Sequence, residues 1–168
     1  MPRTYVQGLA FLLGFAIALW LGPATIAVEP ATDPEAIQLE SSLYAQVNAV
    51  RTQHHLVPLV RQPDLDGVAR GHSGDMASRG YLAHESPEGE NPVNRLERGR
   101  VDGFSMAAEN IGMTTKPSPA SEIVTSWMNS PSHRTNILAP AFNTTGLGVA
   151  RGRDGAWIAT QLFVTYPR

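Results

Sequence analysis

Two histidines and one glutamate stand in short polar clusters whose turn-forming neighbours would display them. The clusters are Ala83-His84-Glu85-Ser86-Pro87, Ala108-Glu109-Asn110-Ile111 and the block from Trp127 to Leu138, which holds Asn129-Ser130-Pro131-Ser132-His133-Arg134. Segments of this kind are where a rigid scaffold commonly carries functional side chains. If folding brings His84, Glu109 and His133 together, two neutral imidazoles and a carboxylate make a three-ligand set for zinc or another divalent cation, with a fourth position open for water. Ligating imidazole must be neutral, so such a site would lose affinity as the pH falls below about 6.5. The same three side chains also suit a hydrogen-bonded network that orients loops and holds no ion.

A hydrolytic reading casts Ser86 as nucleophile, His84 as base and Glu109 as orienter, or lets a metal on His84 and His133 activate water. The sequence has no Gly-x-Ser-x-Gly elbow, and His84-Glu85 lacks a second histidine four positions on, so neither hydrolase signature is complete. The favoured reading is a ligand pocket of His84, Glu109, His133, Asn110 and Ser130. His72 lies on an apolar helical stripe and reads as a buried histidine satisfied by a neighbour. Arg134, Asn136 and Asn110 are expected to tie the loops to backbone carbonyls, with contact to a ligand the alternative for Arg134 and Asn136. Asn143-Thr144-Thr145 is a glycosylation acceptor pattern that matters only in a eukaryotic secretory pathway.

The elements that must position these groups are legible from periodicity and punctuation. Asp33-Pro34 reads as N-cap and first helical residue, and Leu39, Leu43, Val47 and Val50 continue with helical spacing to about His55, before Pro58. A second helix spans about Asp64 to Arg79, with Gly80 in the left-handed position that ends it. Its Gly67, Gly71 and Gly74 form a stripe against which close packing is expected. Asn91-Pro92 opens a short helical turn closing at Gly99, and Ser118-Pro119 opens a further helix that Pro131 ends. Leu147 and Val149, the turn Arg151-Gly152-Arg153-Asp154-Gly155 and the run Trp157 to Val164 form a hairpin, and Met106 to Met113 suits a third strand. This order argues an α+β or layered α/β/α domain.

In this order and spacing the motifs resemble the bacterial branch of the CAP superfamily, the cysteine-rich secretory, antigen 5 and pathogenesis-related class 1 proteins. The resemblance runs from about Leu43 to Phe163. It rests on His72-Ser73 with Asp75-Met76-Ala77, the His84 turn, Pro92 to Gly99 with Arg95-Leu96, Glu109-Asn110-Ile111, Trp127 to Leu138, Gly146-Leu147-Gly148-Val149 and the last strand. It implies a three-layer α/β/α sandwich around a central antiparallel sheet. It also implies a surface cavity lined by two histidines and two acids, which in some members holds zinc or another divalent ion. Carried over, the histidines are His84 and His133 and one acid is Glu109; the second acid falls at or beside Ser130, where the chain has Asn129-Ser130-Pro131.

The chain of 168 residues has room for one domain, with residues 28–36 as linker and 37–168 as the CAP-like domain. Residues 1–27 read as an export signal: Arg3 precedes an uncharged apolar run from Gly8 to Gly22, too short at about 15 residues to span a bilayer comfortably, and Ala27 is the expected cleavage point. Uncleaved, that segment would be the protein's membrane anchor. The expected location is therefore secreted, periplasmic or cell envelope. Zero cysteines exclude a lipoprotein and a disulfide framework, leaving burial to stabilise the domain. A net charge of -2 offers no basic stripe for nucleic acid. The remaining functions are a binding protein for a small apolar ligand, a peptide or an envelope component; a metal- or serine-dependent hydrolase; and a structural or protective envelope factor.

Overall fold

The computed structural model describes residues 33–167. The export signal expected at 1–27 and residues 28–32 of the linker lie outside the described residues. The elements in chain order are α1 (Pro34–Gln53), β1 (Val60–Arg61), α2 (Pro63–Arg79), α3 (Pro92–Arg98), β2 (Met106–Thr114), α4 (Pro119–Asn129), α5 (Pro131–Leu138), β3 (Thr144–Arg151) and β4 (Trp157–Thr165). Each helix has a proline in its first turn, where the missing N–H would have found no helical partner. Asp33 caps α1 by accepting the Glu35 amide at 2.9 Å, and Asn91 and Asn94 form a reciprocal capping box on α3. Helix α1 opens at Pro34, so the last residues of the expected linker are helical.

Strands β3, β4 and β2 make the expected antiparallel sheet, with β4 between the other two. The sheet is nevertheless mixed, because β1 pairs in parallel with the outer edge of β3 through Val60–Thr144 and Arg61–Thr145. Two residues between Pro58 and Pro63 are too few for alternation to reveal a strand. Helix α5 is likewise additional to the sequence expectation. Pro131 does end α4, but it also starts α5, so that Ser130 is the C-cap of one helix and the N-cap of the next.

Three layers follow from the faces these elements bury. Leu39, Leu43 and Val47 of α1, Trp127 of α4 and Ile137 of α5 pack with Leu147, Val149 and Phe163 on one side of the sheet. On the other side, Leu65 and Ala69 of α2 and Leu96 of α3 meet Leu162 and Val164, while Met76 meets Ile111 and Ile158. Close packing of α2 comes from the strand rather than from its own glycines. A Cβ at Gly67, Gly71 or Gly74 would meet nothing within 4 Å, whereas one at Gly146 or Gly148 would run into the α2 backbone at Leu65–Asp66 or Ala69–Arg70. The glycine stripe of α2 faces away from the sheet because Leu65, Ala69, His72 and Met76 occupy the inward face.

Polar groups take the place of covalent staples. Beyond β1, the open edge of β3 is closed by carboxylates: the Leu147 amide donates to Asp66 Oδ1 at 2.8 Å and the Val149 amide to Glu40 Oε1 at 3.3 Å. Such capping denies the edge to a foreign strand. Glu40 is fully buried and balanced by Arg61 at 2.7 Å and Arg70 at 2.6 Å. Buried Arg51 donates to the carbonyls of Val57, Ile137, Ala139 and Phe142 at 2.8–3.1 Å, fixing the end of α1 to the segment between α5 and β3.

Candidate functional site

The site sits where the loop joining α2 to α3, the middle of β2 and the first turn of α5 converge. The loop is closed on itself, with the Ser86 amide donating to Glu90 O at 3.1 Å and Gly89 taking a φ of 82° that suits glycine. His84 projects from this loop and donates its Nδ1–H to Glu109 Oε1 at 2.8 Å. The other carboxylate oxygen of Glu109 accepts from Arg95 Nη2 at 2.7 Å. The His84 side chain is 49% exposed while those of Glu109 and Arg95 are 1% and 3% exposed. With the carboxylate as acceptor of this bond, the ring donates from Nδ1, and in that tautomer Nε2 is left as the acceptor nitrogen.

Arg95 also holds the loop itself. Its Nη2 donates to His84 O at 3.0 Å and its Nη1 to Glu90 O at 2.8 Å. His72 supports the same loop from α2 through Nε2 to Ala83 O at 3.0 Å, with Glu109 Oε1 at 3.9 Å. Burial pushes the His72 imidazole below its ordinary pKa, outweighing the attraction of the Glu109 charge. His72 is thus the buried, satisfied histidine expected from the sequence.

His133, in the first turn of α5, places its ring 6.2 Å from that of His84, centroid to centroid, with the planes tilted by 53°. Burial, together with the neighbouring His84, pushes its pKa down. The α5 turn is pinned to the free edge of β2: Asn136 donates to Glu109 O at 3.2 Å and to Asn110 Oδ1 at 2.9 Å, and Asn110 donates to His133 O at 3.1 Å. One residue pair further along, Trp127 Nε1 donates to Ile111 O at 2.8 Å. Asn110 and Asn136 therefore do the loop-tying the sequence predicts, whereas Arg134 is exposed. Asn143 is engaged through its amide with Tyr166 O at 2.7 Å.

The structure brings His84, Glu109 and His133 to one locality, but their roles differ. Both oxygens of Glu109 are committed, to Arg95 and to His84, and its side chain is sealed from solvent, so it does not fit the expected place in a three-ligand metal set. Among the described residues, no group of three or more His, Cys, Asp or Glu side chains is arranged to hold a metal ion. Ser130 Oγ lies 3.3 Å from Ser132 Oγ at the junction of α4 and α5, and supplies no acid. Ser86 spends its hydroxyl on its own loop, accepting from the amides of Glu88 and Glu90 at 3.3 Å, and so does not fit the nucleophile role. Arg95 is the functional residue that motif reading overlooked as a site member. No local signal marks it, since Asn91 and Pro92 set where α3 starts but not which of its faces turns inward.

With this geometry in hand, comparison decides the family: residues 44–163 match the model of the cysteine-rich secretory protein family, CAP. The chain belongs to the CAP family. Among its CAP relatives are two Bacillus subtilis proteins. The membrane protein YlbC is 36% identical over 67% of this chain and 32% of its own length, and YkwD is 34% identical over 74% of this chain and 46% of its own length. The chain thus spans less than half of either curated relative. A solved extracellular protein containing an SCP domain from Bacillus anthracis is 31% identical, with a TM-score of 0.67 over 79% of this chain and 44% of that one. An outer surface protein of Borrelia burgdorferi shares the fold at 21% identity, with a TM-score of 0.69 over 77% of this chain and 94% of that one. The three-layer architecture is accordingly that of a CAP domain.

Proposed function

We propose that this chain is an exported, non-catalytic CAP-domain binding protein whose ligand contacts the paired imidazoles of His84 and His133. The observation that carries the reading is the division of labour around Glu109. The carboxylate and Arg95 lie behind the site as a sealed support, and the half-exposed His84 ring is held in front of them with one nitrogen free. An oriented imidazole pair accepts and donates hydrogen bonds to a polar ligand. Its polar setting favours a peptide-bearing envelope component over a purely apolar molecule. Hydrolysis is not supported, since Ser86 is a turn residue and Glu109 is not free to act as ligand or base. Export accords with the apolar segment at Gly8 to Gly22 and with relatives described as extracellular or as a membrane protein.

The test uses solubilised cell-wall muropeptides, which carry both amide groups and amino sugars, titrated into the labelled protein and followed by amide and imidazole chemical shifts. The reading expects saturable shifts centred on His84, His133 and Asn136. Shifts confined to other faces, or none at millimolar muropeptide, would overturn it.

A further inference from the structure

The loop that bears His84 is tied to the helices at its rim by the ion pairs Arg79–Glu88 and Arg98–Glu90, and beneath it one buried side chain joins two of its carbonyls to the carboxylate of Glu109. The Arg95 guanidinium donates to His84 O at 3.0 Å, to Glu90 O at 2.8 Å and to Glu109 Oε2 at 2.7 Å. It therefore touches both ends of the loop and the carboxylate that grips the His84 ring. The planar fork of arginine allows this, whereas the point-like ammonium of lysine would serve only part of it. We infer that Arg95 is a positioning residue for His84: it fixes the backbone beneath the imidazole and, by holding the Glu109 carboxylate oriented against Nδ1, selects the ring tautomer that leaves Nε2 free for a ligand.

Two observations give this force. First, Arg95 and Glu109 are both buried, so the pair acts where water competes least. Second, the alternative support, His72 Nε2, reaches Ala83 O at 3.0 Å but stands 3.9 Å from Glu109, too far to orient the carboxylate through a hydrogen bond. Removing the guanidinium would take away the only partner of Glu109 Oε2 among the described residues and the donor to His84 O, freeing the carboxylate to turn away from Nδ1 and the backbone beneath the ring to shift. With Nδ1 no longer held against an acceptor, the ring would redistribute its proton between the two nitrogens.

The inference rests on the reading of His84 as the ligand-facing residue, yet its test needs no ligand, so failure of muropeptide binding and failure of this proposal are separate outcomes. Long-range 1H–15N spectra of histidine-labelled protein at mildly alkaline pH, where an ordinary imidazole is neutral, report the tautomer directly. Wild type is expected to show His84 as the Nδ1–H form. Arg95→Met is expected to shift it to a mixture with Nε2–H, and Arg95→Lys to restore part of the Nδ1–H population while displacing the amide signals of residues 83–90. A folded Arg95→Met protein that keeps His84 wholly Nδ1–H would overturn the proposal. If Arg95→Met does not fold, Arg95→Lys decides: a spectrum identical to wild type at His84 and across residues 83–90 would overturn it as well.

Discussion

The guanidinium of Arg95 and the carboxylate of Glu109 meet at 2.7 Å with their side chains 3% and 1% exposed, so the charge behind His84 is neutralised out of reach of water. Breaking a buried pair from one side strands the other charge, which costs about 3–5 kcal/mol. Glu109→Ala is therefore expected to lower the free energy of urea unfolding by about 3 kcal/mol or more. Replacing both members together, as Arg95→Met with Glu109→Leu, should recover a substantial part of that loss. A single-mutant cost below about 1 kcal/mol, the value of an exposed pair, would show that the pair is solvated in solution.

Calorimetric titration of the protein with zinc at pH 7.5 separates the two roles available to Glu109. With the carboxylate committed to Arg95 and His84, only two imidazoles face a cation, fewer than the three or four protein ligands that zinc sites use. No saturable heat is expected at micromolar zinc. A one-site isotherm that disappears in Glu109→Gln would mean that the carboxylate swings out of its ion pair to ligate metal.

The glycines of α2 and β3 should respond in opposite directions to the same substitution. Gly71 is exposed within a helix and its added Cβ would meet nothing within 4 Å, so Gly71→Ala should stabilise by up to about 1 kcal/mol. Gly148→Ala would drive a Cβ into the α2 backbone at Ala69–Arg70 and should destabilise by at least about 1–3 kcal/mol, the range for overpacking. Chemical unfolding of the two variants provides the check, and a neutral Gly148→Ala would show that α2 can lift from the sheet.

Acidification should weaken the domain through His72. Burial holds its folded-state pKa below the ordinary value of 6.5, so the unfolded chain takes up the proton first. Stability should thus rise with pH between the depressed value and about 6.5, and be insensitive to this group above that. Urea unfolding of wild type and His72→Gln at pH 7.5, 6 and 5 tests the sign. The variant should lose part of the acid dependence that wild type shows; an unchanged slope would mean that His72 is charged or exposed in the folded state.

Local chemistry revealed the presenting groups but not their support. His84, Glu109 and His133 stood out because each is titratable and has turn-forming neighbours in the sequence, although Glu109 itself lies in the middle of β2. Arg95 lies in a seven-residue helix rich in charge, where an arginine ordinarily faces water, and only the tertiary meeting of α3 with β2 makes it buried. The consequence reached Glu109, which reads as a ligand when Arg95 is ignored and as a support once it is seen. The helices were legible because prolines and caps mark their starts, whereas β1 has too few residues to carry a period. The α2 glycines predicted close packing on the wrong partner, since helix propensity alone does not say which face an added side chain would meet. Gly146 and Gly148 held that information, as small residues facing a helix backbone.

The central claim is that His84 and His133 form one ligand contact surface, with Glu109 behind it. Its most direct test is the dissociation constant of solubilised muropeptide for wild type, His84→Ala, His133→Ala and the double variant. Each single substitution is expected to weaken binding about tenfold, equivalent to about 1.4 kcal/mol, and the double variant to lose less than the sum because both rings serve the same ligand. Single variants that bind as tightly as wild type would contradict the account.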